Sequence, residues 1–178
     1  MNDFGEMIDS RTVRFQRLLP GPIDRVWSYL VDSEKRAKWL CAGNVDTRAG
    51  GRVHMLFDND SLSSESDIER PAKYGDMAAR PVVEGKVTVC EPPHRLVHSW
   101  QFAGEESEVR YELAERDDKV LLVLTHSRLQ SPGTVLSVSG GWHTHLDILV
   151  AVLEGVEPLP FWKTHAERTA QYEERLRG

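Results

Sequence analysis

A chain of 178 residues is long enough for one domain with a full hydrophobic core and short for two. Its 28 acidic residues outnumber its 22 Lys and Arg residues, for a net charge of −6, and no basic block occurs, which argues against nucleic acid as a partner. The start of the chain lacks the pattern of an export signal, and neither Cys41 nor Cys90 lies in a CxxC motif. We therefore expect a cytoplasmic protein with reduced thiols and no insertion into a membrane.

An arm, a strand and two short helices are predicted at the beginning of the chain. Residues 1–11 are polar without a period, so we expect a loose N-terminal arm. Apolar and polar residues alternate over 12–19, which predicts the first strand. An amphipathic pattern over 23–30 predicts a short helix, and Asp32 can cap a second one.

Six further strands follow the two helices. Alternation predicts them at 44–47, 52–58, 81–89, 95–102, 107–115 and 120–126. Short turns join the last four, which indicates an antiparallel sheet. Residues 58–80 form a long connection without a period, rich in Ser and Asp. Such a connection is a lid, a partner-binding loop or disorder, and the sequence leaves these alternatives open.

A strongly apolar helix is predicted over 140–155, after a connection over 127–139. A glycine pair opens this segment and Gly155 closes it, as expected of a helix with a glycine stop. The segment is too short to span a membrane and too apolar to be exposed, so it must be buried against the strands. Its stripe consists of Trp142, Leu146, Leu149 and Leu153.

The remaining residues, 156–178, are predicted to form a C-terminal helical extension. Its apolar stripe must dock on the domain or on a second copy of the chain, so a homodimer through this helix is one hypothesis. The stripe consists of Trp162, His165, Thr169, Tyr172 and Leu176.

Several short motifs occur in a characteristic order. They are Pro22 to Trp27, Trp39, Gly50-Gly51-Arg52, Glu84-Gly85-Lys86-Val87, Glu91-Pro92-Pro93-His94, Thr125-His126-Ser127, and Gly141-Trp142 with Leu146 and Leu149. This ordered set resembles the SRPBCC superfamily, and more narrowly the branch related to the carboxy-terminal domain of the activator of the heat-shock protein 90 ATPase. The resemblance covers residues 12–155 and implies one START-like domain.

The implied fold class is α+β, the helix-grip fold. In that fold a curved antiparallel sheet wraps around a long C-terminal helix, with two short helices, and here an extra C-terminal helix is added. The resemblance also implies a deep hydrophobic cavity between the sheet and the helix. Relatives include lipid and hormone carriers and polyketide aromatase/cyclases, so the resemblance leaves the activity open.

The predicted faces of the strands and the late helix supply a candidate ligand cavity. A mostly apolar wall with a few polar groups is typical of a small-molecule site. The candidate cavity residues are Trp39, Met55, His98, Trp100, Tyr111, Leu113, Leu124, His126, Trp142, His145 and Leu149. Each histidine or tyrosine among them can instead be a core residue that hydrogen-bonds to the backbone.

Other chemistries lack their motifs. The sequence contains no HExxH pair, GxSxG elbow, Walker loop or GxGxxG fingerprint, so we expect no metal, no cofactor and no assigned catalytic residue. The first hypothesis is therefore binding of a hydrophobic, aromatic or acyl small molecule. The alternatives are a cyclase or hydrolase that uses His98, Tyr111 or His126 for proton transfer, and an interaction protein that activates a chaperone ATPase.

Overall fold

The computed structural model describes residues 2–62, 70, 72 and 80–177, so most of the predicted 58–80 connection lies outside the described residues. The first half contains β1 (Glu6–Asp9), β2 (Thr12–Pro20), α1 (Ile23–Val31), α2 (Ser33–Arg36), β3 (Ala42–Val45), β4 (Arg52–Leu56) and a 3₁₀ turn (Asn59–Ser61). The second half contains β5 (Val82–Glu91), β6 (Arg95–Phe102), β7 (Glu105–Arg116), β8 (Lys119–Ser127), α3 (Pro132–Glu154) and α4 (Phe161–Arg177).

The strands form one curved antiparallel sheet in the order β1-β2-β8-β7-β6-β5-β4-β3. Alternate residues of each strand point to the concave face, and the register places Val13 and Val109 opposite His126 on either side of β8. These residues are almost completely buried. The helix α3 lies in the concavity, and α1 and α2 lie at one end. This is the α+β helix-grip fold that the sequence predicted.

The N-terminal arm is ordered, which corrects the expectation of a loose segment over 1–11. Met7 pairs with Val13 of β2, and a bulge before Asp9 shifts the register, so β1 adds an eighth strand to the predicted seven. Phe4 packs edge-on against His143 and Tyr172. The sequence shows no period because β1 is only four residues long and mostly exposed.

The central helix begins eight residues earlier than predicted, which corrects the expected connection over 127–139. The Ser131 side chain accepts a hydrogen bond from the Thr134 amide, and Pro132 occupies the first turn, so both residues fit a helix start. Gly155 ends the helix in the left-handed conformation, at φ 73°, as predicted. The glycine pair lies inside the helix rather than at its entrance.

The helix α3 is buried on two sides, between the sheet and α4. Trp142, Leu146 and Leu149 face the sheet, whereas Gly140 and His143 face α4. The predicted stripe of α4 thus docks on its own domain through His165, Thr169 and Tyr172, and a homodimer needs another surface of this helix. No helix in the described part of the chain is long and apolar enough to cross a membrane.

The two adjacent glycines of α3 are predicted to differ in their tolerance of a side chain. A Cβ atom on Gly140 would lie 2.6 Å from Oγ1 of the buried Thr169, whereas a Cβ on Gly141 meets no atom within 4 Å. Gly140→Leu should therefore lower the free energy of unfolding by about 2 kcal/mol or more, because it separates α3 from α4. Gly141→Leu should leave it unchanged or raise it by up to about 1 kcal/mol, because a helical glycine is replaced. Urea unfolding of both variants measures the difference, and equal stabilities would contradict the close helix contact.

Candidate functional site

Open space remains at one end of the concavity, between α3, the sheet and the beginning of α4. The pocket has a volume of about 160 Å³ and its lining is mainly aromatic and aliphatic. The lining residues are Leu40, Phe57, Asn59, Pro81, Val83, Trp100, Phe102, His126, Ser137, Val138, Gly141, Trp142, His145, Phe161 and His165. No charged side chain belongs to this described lining.

The aromatic rings of the pocket support one another. Trp100, on β6, lies 5.6 Å from the ring of Trp142 on α3 and 5.8 Å from Phe57, which follows β4. From α4, Phe161 contributes a ring 5.2 Å from His145. Ring pairs at these separations and inclined angles are favourable and restrict rotation of the side chains. The wall is therefore held in shape by residues of β6, α3, α4 and the segment that follows β4.

A series of hydrogen bonds, in which each group donates to the next, fixes the tautomer and orientation of His126. The indole of Trp142 can only donate, so its bond of 2.9 Å makes Nδ1 of His126 an acceptor. The proton of the neutral imidazole is then on Nε2, which donates to Oγ of Ser107 at 2.7 Å. Ser107 in turn donates to the carbonyl of Trp100. Burial lowers the pKa of His126 to about 3, and the nearby His98 adds to that shift.

A second histidine, His145, has a different arrangement. Its Nδ1 lies 2.8 Å from the carbonyl oxygen of Trp39, which can only accept, so Nδ1 carries the proton. Burial lowers the pKa of His145 to about 4, the bond to Trp39 opposes this shift, and the neighbouring His165 adds to it. The ring is therefore neutral at physiological pH, with a lone pair on Nε2.

Four of the eleven candidate cavity residues line the pocket, namely Trp100, His126, Trp142 and His145. The other seven lie in the packed interior, where side chains fill the space between the sheet and the two helices α1 and α3. They are Trp39, Met55, His98, Tyr111, Leu113, Leu124 and Leu149. The part of the implied cavity that these seven residues would enclose is thus filled, and the candidate residues that do line open space lie at its end.

Two groups that the proton-transfer alternative requires are sealed in this interior. His98 is completely buried, its Nδ1 lies 2.9 Å from the carbonyl of Ser99, and its Nε2 has no partner in the described chain. Burial lowers the pKa of His98 to about 4 and raises the pKa of Tyr111 far above its usual value. Both groups are therefore neutral and have no contact with the pocket.

The sequence analysis missed the residues that close the pocket. Phe57 and Phe102 continue the alternation of Met55 and Trp100, so strand phase was a usable signal for them. Ser137 and Val138 were missed because the start of α3 was placed too late. Phe161 and His165 belong to the C-terminal extension, and no local pattern indicates that it returns to the open end of the domain.

Residues 20–154 match the model of a family described as activator of Hsp90 ATPase homolog 1-like protein. The chain belongs to this family. The match runs from the end of β2 to the end of α3, and it confirms the resemblance to the SRPBCC superfamily and its narrower branch. The pocket thus lies at the junction between the family domain and α4, which contributes Phe161 and His165.

Solved structures share the fold. The BPP1335 protein from Bordetella parapertussis is 40% identical, with a TM-score of 0.80, over 98% of this chain and 91% of that one. CalU16 from Micromonospora echinospora is 24% identical, with a TM-score of 0.67, over 98% and 96% of the two chains. DynU16, a protein in the dynemicin biosynthetic locus, is 23% identical, with a TM-score of 0.63, over 84% of this chain and 49% of that one. The last two show similarity of fold alone, and no curated protein matches the sequence.

Proposed function

We propose that this protein binds a small hydrophobic molecule, aromatic in character, in the pocket at the open end of the sheet, and acts on it by binding alone. The single observation that carries the proposal is an apolar pocket walled by aromatic rings that pack against one another. Concave, mostly apolar sites with a few polar groups are typical of small-molecule binding. A cytoplasmic location is part of the proposal.

Size and lining define the class of ligand. The pocket volume of about 160 Å³ is below the roughly 300–1,000 Å³ of sites for drug-sized molecules, so it suits a ligand of one or two rings better than a long acyl chain. The faces of Trp100, Trp142 and Phe161 favour a flat partner, because aromatic pairs gain energy from stacked and edge-on contacts. The DynU16 neighbour, from a biosynthetic locus, is compatible with a role in small-molecule handling.

Binding is favoured over proton transfer because the required groups are engaged or enclosed. Both ring nitrogens of His126 take part in internal hydrogen bonds, so neither can accept a proton from a ligand without breaking one. His98 and Tyr111 do not reach the pocket. A general base needs a free lone pair within hydrogen-bond distance of the substrate, which none of these three groups offers, and burial lowers the pKa of His145 to about 4, which makes that ring a weak base.

Filling the pocket from α3 tests this proposal. We expect 1-naphthylamine, a fluorescent probe of two rings that is neutral at pH 7, to bind the protein with a micromolar Kd. Gly141→Leu should weaken this binding by about 30-fold or more, because the new side chain occupies the open space above Gly141. Gly133→Leu, an exposed substitution in the first turn of the same helix, is the matched control and should bind as the wild type does. Fluorescence titration provides the Kd values.

Two outcomes would contradict the proposal. One is a wild-type protein that does not bind the probe. The other is equal binding by the wild type and Gly141→Leu, which would place the probe elsewhere on the protein. Urea unfolding of both variants verifies that any loss of binding does not come from a loss of fold.

A further inference from the structure

The orientation of His145 makes its ring an acceptor at the wall of the pocket. Its Nδ1–H is committed to the carbonyl of Trp39, which leaves the lone pair of Nε2 without a hydrogen bond from any described residue. The Nε2 atom of His145 is not completely enclosed by protein, whereas Nε2 of His98 is enclosed and has no partner in the described chain. Because His145 lines the pocket and is only 5% exposed, that lone pair is a directional acceptor in an apolar setting.

Among the other polar groups of the lining, Oδ1 of Asn59 is also a buried acceptor without a partner in the described part of the chain, so it too favours a ligand that donates a hydrogen bond. The indole N–H of Trp142 and both nitrogens of His126 are satisfied within the wall. The described lining contains no Lys or Arg, so a carboxylate placed in the pocket would lose its hydration without gaining a counter-ion. The wall therefore favours a neutral ligand that donates a hydrogen bond and disfavours an anion.

The rings beside His145 restrict where that donor can be. Phe57 and Phe161 lie 6.0 and 5.2 Å from the imidazole, centroid to centroid, and form an aromatic surround for it. A hydroxyl or N–H group in the plane of a flat ring can reach Nε2 while the ring itself remains among these side chains. Aliphatic donors of similar size would lose the ring contacts.

Resting on the proposed function, we propose that His145 selects the ligand, and that the pocket takes a neutral aromatic molecule with a hydroxyl or N–H at its edge, a phenol or an N–H heteroaromatic compound, which donates to Nε2. Carboxylated aromatic compounds of the same size are rejected. The carbonyl of Trp39 is the positioning group, because it holds the imidazole in the tautomer that accepts.

A cycle of two ligands and two proteins tests the selection. The ligands are 2-naphthol and 2-methylnaphthalene, which have the same shape but differ in the donor, and 2-naphthoate at neutral pH is the anionic comparison. His145→Phe should raise the Kd of 2-naphthol by about 10-fold and change the Kd of 2-methylnaphthalene by less than about 2-fold, because only 2-naphthol loses a hydrogen bond. The wild type should bind 2-naphthoate at least about 10-fold more weakly than 2-naphthol. Calorimetry or quenching of tryptophan fluorescence measures each Kd, and His94→Phe, outside the pocket, is the control.

A measurement on the wild type covers the case in which His145→Phe does not fold. In protein labelled with ¹⁵N at histidine, 2-naphthol should shift the Nε2 resonance of His145, and 2-methylnaphthalene should not. Equal weakening of both neutral ligands, equal binding of naphthol and naphthoate, or an unmoved Nε2 resonance with naphthol bound overturns the selection but leaves the binding function intact. Failure of all three compounds to bind the wild type overturns both.

Discussion

Between pH 8 and pH 5.5 the protein is expected to lose about 5 kcal/mol of its free energy of unfolding. Four histidines are responsible, each at most 5% exposed: His98, His126, His143 and His145. Burial is the largest cause of the pKa decrease in all four, to about 4 for His98 and His145 and about 3 for His126 and His143. All four are held neutral in the folded state.

The sign of this pH dependence follows from whether the folded or the unfolded state binds more protons. In the unfolded chain these histidines have a pKa near 6.5, above the folded values. Between those limits the unfolded state takes up protons that the folded state does not, so stability is complete above pH 6.5 and decreases as the pH falls towards 4. Each histidine contributes about 1.4 kcal/mol per pH unit in this range. Since small domains have about 5–15 kcal/mol in total, unfolding in mild acid is expected.

Urea unfolding at a series of pH values measures the effect, and His98→Phe identifies its source. Phenylalanine retains a ring between Trp100 and Tyr111, where His98 now lies, but cannot titrate. The decrease between pH 8 and pH 5.5 should then be smaller by about 1.4 kcal/mol than in the wild type. An unchanged pH dependence in this variant would show that the buried histidines are not the cause.

Replacing Arg36 by methionine is expected to lower the free energy of unfolding by about 3 kcal/mol. The Arg36 side chain is 1% exposed and donates to the carbonyls of Leu30 at 3.3 Å, Val31 at 3.2 Å and Gly43. It thereby links the end of α1 to β3. Its partners are backbone carbonyls rather than carboxylates.

Because Arg36 is bound by backbone carbonyls rather than by a carboxylate, its replacement is expected to lower the stability rather than to raise it. Exchanging a buried ion pair for apolar residues is often neutral or stabilising, because both charges leave the interior together. At Arg36 the three carbonyls would remain in place and lose their donor, and each unsatisfied buried carbonyl costs about 1–3 kcal/mol. The gain from no longer desolvating the guanidinium offsets only part of that loss.

Two further variants make the test specific. Arg48→Met removes an arginine whose side chain is 74% exposed and 4.0 Å from Asp46, and it should change stability by less than about 0.5 kcal/mol. Arg36→Lys retains the charge but lacks the planar fork that reaches three acceptors, so it should be intermediate. An Arg36→Met protein as stable as the wild type in urea would refute the bridging role.

Local patterns accounted for most of the sheet but not for the central helix. Alternation placed β2, β7 and β8 because buried residues alternate with more exposed ones along each of them, which gives a period of two. The start of α3 was missed because its first turns contain serine, glycine and proline, which are also typical of loops. Gly140 lies inside the helix because Thr169 of α4 occupies the space that a side chain would need. Thr169 is 29 residues away in the chain, so no local pattern indicates this contact.

The amino-acid sequence by itself determined strands β2 to β8, the N-cap of α2, the end of α3 and the family, because these depend on side-chain periods and motifs within short segments. Only the tertiary structure decided which of the buried residues enclose open space. That outcome depends on how side chains of α1 and α3 fill the concavity and on where α4 places Phe161. The tertiary structure also decided that both ring nitrogens of His126 are hydrogen-bonded, whereas His145 retains a lone pair. The tautomer of each ring is set by a partner, Trp142 for His126 and the Trp39 carbonyl for His145, and sequence spacing does not specify these partners.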